Sequence, residues 1–534
     1  MNVQGRLRAV GPSFIRERIK EVHLLGTRKR KNNPKLLKRR REITMKTAKT
    51  SKRALLCSVL SIALCLSMLI GTTFAWFTDT ASTGVNKIVS GNLKVDIIGA
   101  DSDSHIEKLN FTKAATTDAE AGAEILWEPG CRYLTEGFRI ANKGNLALKW
   151  KAQVNTGTTA ANEGNFDLLD VIDFYLVTKA ADGPETETAL DEFTGNLKKT
   201  ETSDVYYIKG VMQTTAGNDY QRLTLDGISL TVVATQDTVE NDSFNNQYDK
   251  DAEYPTLVAT GDELQTIVNN ATAPVNIVLT NNITTNNFVI PADTDVTLDL
   301  NGRTVTNAES HTILNKGHLT LTDSSADKSG QIISLKGNTA ALRNGDHAVC
   351  VIEGGTISRD GANGNTWHVV ENFGKMTFNG GKVVLKNGNG FAITNGWNYF
   401  DPGASTTHAV MEINALELDT DSSGIKNCRY GDLTVNDVNV ASTGYWALSN
   451  DYLGTAVING GTLTSRSFKA ASNGAAMTVN GGTFDGTNGF FVQSYATSTV
   501  LNGGTYTNMS VDDLSSYVGT GHTAQQSGTS VIIK

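Results

Sequence analysis

The chain has 534 residues, more than one ordinary domain needs and enough for two or three. Charged residues make up 19% and hydrophobic residues 39%, which excludes a wholly disordered chain, and 51 glycines with only 8 prolines exclude collagen while suiting many turns. The net charge of −8 conceals an asymmetry: residues 1–53 carry 18 Lys and Arg against 3 Asp and Glu, and the remainder carries 29 against 52. So acidic a body excludes general nucleic-acid binding, because phosphate contacts need a basic surface.

Residues 1–44 are basic, with runs at Arg28–Lys31 and Lys38–Arg41. Such runs can bind nucleic acid, but the simpler expectation is that translation starts at Met45. Residues 45–75 then read as a secretory signal of ordinary length. Lys46, Lys49, Lys52 and Arg53 form its basic start, residues 54–75 contain no charge, and Thr73-Phe74-Ala75 places small residues at a cleavage site. A membrane anchor is the alternative, since the stretch reaches about 20 residues. Either reading puts the body outside the cytoplasm, secreted or at the cell surface.

The run Gly71-Thr72-Thr73-Phe74-Ala75-Trp76-Phe77-Thr78-Asp79-Thr80, followed by Ser90-Gly91-Asn92-Leu93-Lys94-Val95-Asp96, resembles the start of the TasA/camelysin family. These are Gram-positive exported proteins, several of them biofilm-fibre subunits. Weaker matches continue to about residue 250, at Glu128-Pro129-Gly130, Phe138 to Asn145 and Val233 to Asp237. The resemblance implies a SipW-type signal peptidase as a partner, cutting between Ala75 and Trp76. It also implies self-assembly by strand addition from Trp76–Ser90, for which packing as a first strand on the chain's own sheets is the alternative. Some relatives are classed as metallopeptidases, but no His-Glu-x-x-His pair is present here.

Periodicity reads residues 76–254 independently. Leu93, Val95 and Ile97 alternate with polar residues, as do Ile228, Leu230, Val232 and Ala234. Phe138 and Ile140, then Leu146, Leu148 and Trp150, flank the turn Asn142–Asn145, which predicts a hairpin. Asp167 to Val177 suits a buried strand or a short helix. The expectation is a TasA-like antiparallel β-sandwich. Asp249–Glu253 and Pro255 read as a linker. Next, Asp262 and Gln265 suggest the capping box of a short helix, with Leu264, Ile267 and Val268 facing inward as a plug over the open end of the second domain.

From residue 296 the chain repeats. An apolar residue, a turn such as Asn-Gly-Gly and a second apolar residue five positions on recur at Leu300/Val305, Ile352/Ile357, Phe378/Val383, Ile413/Leu418, Val435/Val440, Ile458/Leu463, Val479/Phe484 and Leu501/Tyr506. An odd offset of five demands a bend, which the glycines permit. A second register places a polar residue two after an apolar one at Asn315, Asn344, Asn372, Asn395, Asn427, Asn450, Asn473 and Ser494. Stacking at about 4.8 Å would join the asparagines in a hydrogen-bonded ladder. The pattern predicts a parallel β-helix over residues 255–534, with the helix at its start, and resembles the right-handed pectin-lyase-like class.

Several enzymes of that class cleave acidic polysaccharides with converging carboxylates and an Arg or Lys base. Asp401, Arg429 and Asp451 lie in or near loops without a pattern that joins them, so the expectation is a non-enzyme with no cofactor and no metal. Aromatics follow ladder positions at Trp397, Tyr399 and Phe400, then Tyr430, Tyr452 and Tyr495. They form a candidate edge for a glycan or surface-protein ligand, with simple cover of the coils as the alternative. Cys131, Cys350 and Cys428 are too few and too scattered for a disulfide framework. No LPxTG-type sorting signal precedes Lys534, so retention at the cell is expected to depend on assembly.

Overall fold

The computed structural model describes residues 92–106, 109–112, 125–155, 158–159, 166–179, 185–190, 193–226, 229–237, 252–364, 366–397 and 407–534. The basic extension, the signal, the Ala75–Trp76 junction, the Trp76–Ser90 segment, and Tyr399, Phe400 and Asp401 lie outside the described residues. The fold is all-β, 51% strand and 7% helix.

The described residues before 237 form antiparallel sheets. One contains Val95–Gly99, Phe138–Asn142, Tyr206–Met212, Arg132–Thr135 and Ile172–Lys179. A second contains Ser229–Gln236, Leu148–Asn155 and Phe193–Leu197. Phe138 and Ile140 of the first sheet share one buried cluster with Leu148, Trp150 and Ala152 of the second. The Trp150 ring packs edge-on to Phe193 at 5.6 Å and Tyr206 at 6.0 Å.

The expected hairpin at Asn142–Asn145 is absent. Phe138–Asn142 pairs with Val95–Gly99, whereas Leu148–Asn155 pairs with Ser229–Gln236. The turn carries the chain from one sheet to the other. Buried Asn142 holds it: its side-chain amide donates to Leu146 O at 2.7 Å and Lys198 O at 3.1 Å, and its Oδ1 accepts from Gly144 N at 2.9 Å. The turn chemistry is real, but it serves a change of sheet. Asp167–Val177 contains both expected forms, a 3₁₀ turn at Leu168–Asp170 and the strand Ile172–Lys179.

From Thr256 the chain forms a parallel β-solenoid of about ten turns. Each full coil lays down three strands, for example Lys375–Phe378, Lys382–Lys386 and Phe391–Asn395. Like positions stack. One inward column runs through Leu298, Leu321, Ile352, Phe378 and Ile413, and another through Val305, Ile332, Ile357, Val383 and Leu418. Each such side chain loses its water contact completely, a gain of about 2 kcal/mol apiece. The Asn-Gly-Gly turns work by division of labour. At Gly460 a Cβ would lie 2.7 Å from Asn436 O of the preceding coil, and Gly461 adopts φ +93°. Only glycine satisfies either demand without strain.

The repeat read from residue 296 extends back within the expected β-helix, since Val275–Leu279 already pairs with Asp295–Asp299. Two expectations about the coils need correction. Leu298, not Leu300, occupies the first column, and the coil Leu321/Ile332 departs from the five-residue spacing because residues 323–330 lengthen its turn. Ser494 is not a ladder position: a two-residue register shift after Ser465 places Val492 level with Asn473.

Both ends of the core are covered. The helix Gly261–Asn270 buries Leu264 and Val268 against the first coils. Its cap is Thr260 rather than Asp262. Thr260 Oγ1 accepts from Glu263 N at 3.2 Å, and Glu263 reaches back to Ala259 N at 2.9 Å. Gln265 instead pins the Val289 backbone, accepting at 2.8 Å and donating at 2.9 Å. At the far end, Ser530–Ile533 turns antiparallel to Gly504–Thr507, and Leu514, Val531 and Ile533 close the core.

Candidate binding face

From the coil of Asn315 to that of Asn473 the third strand ends in a ladder asparagine, with Ile290 and Val492 at the same place in the coils on either side. Asn315, Asn344, Asn372, Asn395, Asn427, Asn450 and Asn473 lie one above another, each at most 1% exposed. Each side-chain amide donates to the Oδ1 of the next, over 2.7, 2.8, 2.7, 2.9, 2.8 and 2.9 Å in turn. The last, Asn473, donates to Ser498 O and Thr499 Oγ1 at 2.8 and 2.7 Å. These bonds fix the corner at the end of the strand, and so fix whatever that corner displays.

The corner displays the anticipated aromatic edge only in part. Trp397 is half-buried, its ring 4.6 Å from Phe373 and its backbone N–H bonded to Arg429 O at 3.0 Å. Tyr430 is half-buried, in the left-handed region at φ 57°, and packs 5.7 Å from His408. Tyr452 and Tyr495 are open to solvent at 47% and 52%. The Arg429 guanidinium lies 5.4 Å over the Tyr452 ring. Trp397 and Tyr430 therefore act chiefly as cover, while Tyr452 and Tyr495 project.

A second aromatic row stands at the other end of the same strands, where the chain enters them. It comprises Trp367, Phe391, Tyr445 with Trp446, and Phe468. Phe391 and Trp446 come from coils two apart yet stack at 6.2 Å and 10°, because the coil between them carries Ser423-Gly424 at this place. Trp446 meets Phe468 edge-on at 5.1 Å, and Tyr445, 58% exposed, meets Phe468 at 5.9 Å. Sequence reasoning missed this row. Its signal was nonetheless present, an aromatic four or five residues before a ladder asparagine at Trp367, Phe391, Trp446 and Phe468.

Between the rows runs the outward column Arg343, Glu371, Thr394 and Lys426. Glu371 is 4% exposed, bonded by Arg343 at 3.0 Å and by Trp367 Nε1 at 3.0 Å. Arg343 also lies 4.6 Å over Phe373. Lys426 pairs with Asp451 at 3.0 Å and sits 5.5 Å over Phe391. Lys469 sits 3.4 Å over Phe491 and 5.2 Å over Phe468. The polar column thus ties one row of rings to the other.

Beneath this face lies a buried ionisable group that sequence reasoning also missed. Arg359, 1% exposed, donates to Lys336 O at 2.9 Å and Ser334 Oγ at 2.6 Å. Burial lowers its guanidinium to about 10, against the opposing pull of Glu371. His311 accepts from Ala340 N at 2.8 Å, and His368 bonds Phe391 O at 2.8 Å. Burial lowers both imidazoles below their ordinary 6.5. Cys350 and Cys428 are buried thiols with raised pKa values, Cys428 to about 12, so both are poor nucleophiles. Among the described residues no group of three or more His, Cys, Asp or Glu is placed to hold a metal ion. No described helix is long and apolar enough to cross a membrane.

No protein-family model matches the chain, and no curated protein matches its sequence. The functional reading therefore rests on this face.

Proposed function

We propose that the chain is an exported surface or matrix protein whose β-solenoid binds a glycan through the outer face of the ladder strands. The observation that carries this reading is the pair of aromatic rows at the two ends of those strands. Flat rings set by a rigid coil offer apolar surface to the C–H faces of sugars, and their phenol hydroxyls offer hydrogen bonds. In this reading the chain binds rather than catalyses, and neither cofactor nor metal takes part. In this reading the antiparallel region would be a TasA-like sandwich and would supply assembly or attachment, by strand addition from Trp76–Ser90. The solenoid would be right-handed, as in the pectin-lyase-like class. A SipW-type signal peptidase would release the chain at Trp76.

Two experiments test this. Expression of the full chain with a Gram-positive signal peptidase of that type should yield secreted protein beginning at Trp76; retention in the cytoplasm would defeat the export claim. The purified chain should sediment with at least one insoluble polysaccharide, and Tyr452→Ala should weaken that binding about tenfold, a change of roughly 1.4 kcal/mol. Binding untouched by Tyr452→Ala and Tyr445→Ala together would leave these rings as cover alone.

The competing reading is a polysaccharide lyase or hydrolase, and Glu371 beside Arg343 is the observation nearest to it. Yet this carboxylate is 4% exposed and already holds two donors, which suits a structural pair better than an acid or base that must reach substrate. Release of unsaturated or reducing sugars, abolished by Glu371→Gln, would establish it.

A further inference from the structure

This inference rests on the glycan-binding reading and specifies the ligand. Four of the cations on and beside the outer face of the ladder strands, Arg343, Lys426, Lys469 and Arg429, are already engaged within the protein, while Arg466 stays exposed in the strand Thr462–Asn473. Arg343 is bonded to Glu371 at 3.0 Å and laid on the Phe373 ring. Lys426 is bonded to Asp451 at 3.0 Å and laid on Phe391. Lys469 lies over Phe491 and Phe468, and Arg429 over Tyr452. A cation held over a ring face or against a carboxylate has its field largely answered locally. To bind an acidic chain, the face would have to surrender these contacts while the acidic remainder of the body, 29 Lys and Arg against 52 Asp and Glu, repelled the newcomer.

Apart from Arg466, what the face leaves open is uncharged. Tyr445 and Tyr452, 58% and 47% exposed, stand at the two ends of the strand Leu448–Asn450, and Tyr495 projects two coils further on. Ser449 lies half-exposed between the two tyrosines. Phenol and alcohol hydroxyls both donate and accept, as sugar hydroxyls do, and the ring faces of Phe391, Trp446 and Phe468 supply the apolar area. We infer that the ligand of this face is an uncharged glycan, gripped by ring stacking and hydroxyl hydrogen bonds across the two aromatic rows, and not a uronate or other acidic polymer.

The test is calorimetric titration of the full chain with neutral hexa-saccharides (gluco-, manno-, galacto- and N-acetylglucosamine series) and with hexa-galacturonate, each at 0.05 and 0.5 M salt. The expected result is binding of one or more neutral probes with Kd changing less than twofold between the two salts, since no ion pairs form that salt could screen. Trp446→Ala should weaken it more than tenfold. Tyr445→Ala, at an exposed ring whose loss leaves folding intact by thermal melt, should weaken it several-fold. Tighter binding of hexa-galacturonate than of every neutral probe, or affinity falling tenfold with salt, overturns the uncharged ligand and leaves the glycan-binding face standing. Absence of binding to every probe, neutral and acidic, overturns both.

Discussion

Two ladders of the same residue run along the solenoid, one inside and one outside. The inner ladder joins Asn315 to Asn473, and each amide donates toward the C-terminal coil. The outer one joins the asparagines of the Asn-Gly-Gly turns and their kin. Asn414, Asn436, Asn459, Asn480 and Asn502 each donate to the preceding coil, over 2.9, 2.7, 2.8, 2.8 and 3.0 Å. The bonds are alike in length and opposite in direction, and the surroundings differ. Inner amides are shut away from water, and each also satisfies carbonyls of the next turn, as Asn395 does for Ala409 O and Asp432 O at 3.2 Å each. Outer amides lie in water's reach, and water can replace any bond they lose. Identical hydrogen bonds thus carry very different weight, because stability depends on the cost of leaving a group unpaired.

The sharpest way to break this comparison is to change one amide into a carboxylate in each ladder. Asn395→Asp should be the most damaging change, about 4 kcal/mol or more by denaturant unfolding, since a buried carboxylate faces three acceptors. Its penalty should ease as pH falls, because the protonated acid regains a donor. Asn395→Ala removes the amide without adding charge and should cost roughly 3 kcal/mol through unpaired Asn427 Oδ1, Ala409 O and Asp432 O. A loss below about 1 kcal/mol would show that the inner ladder is no tighter than the outer.

Buried imidazoles extend the same logic to acid. His311 and His368 have pKa values lowered by burial, so the unfolded chain takes up their protons first as pH falls. Their contribution is complete above the unfolded value of 6.5 and drains away below it. Thermal melts from pH 7.5 to 5 should therefore show Tm falling, and the double variant His311→Asn, His368→Asn should show a shallower fall; an unchanged slope would assign the acid sensitivity elsewhere. The smallest effect belongs to the outer ladder. Asn459→Ala should cost about 0.5 kcal/mol, and Asn459→Asp scarcely more, by the same unfolding assay.

Where the sequence was legible, the reason was repetition. Apolar pairs such as Ile458/Leu463 recur at steps of 22, 23, 21 and 22 residues from Ile413 to Leu501, and asparagines recur two after an apolar residue, so a column could be read without knowing its neighbours. Legibility failed wherever a coil changed length. The insertion at residues 323–330 hid one coil, and the register shift after Ser465 made Ser494 look like a rung. The Asn142–Asn145 turn misled for another reason: a turn signal tells where a chain bends, not which sheet it joins next. Of the binding face, the row after the strands was readable from Trp397, Tyr430, Tyr452 and Tyr495. The row before them sits at its own offset from the ladder, and the Arg359 group beneath carries no repeating signal at all.

The sequence by itself determined the solenoid, because one short pattern repeated along a chain admits stacking as the way to bury its apolar residues. It determined the asparagine rows too, since equivalent positions in stacked coils must coincide. Only the tertiary structure decided which rings project and which lie down. Tyr452 stands 47% exposed while Trp397 rests on Phe373, although both come two residues after a ladder asparagine. That choice depends on neighbours one or two coils away, such as Ser423 between Phe391 and Trp446, and coils of uneven length leave such neighbours unreadable along a single chain.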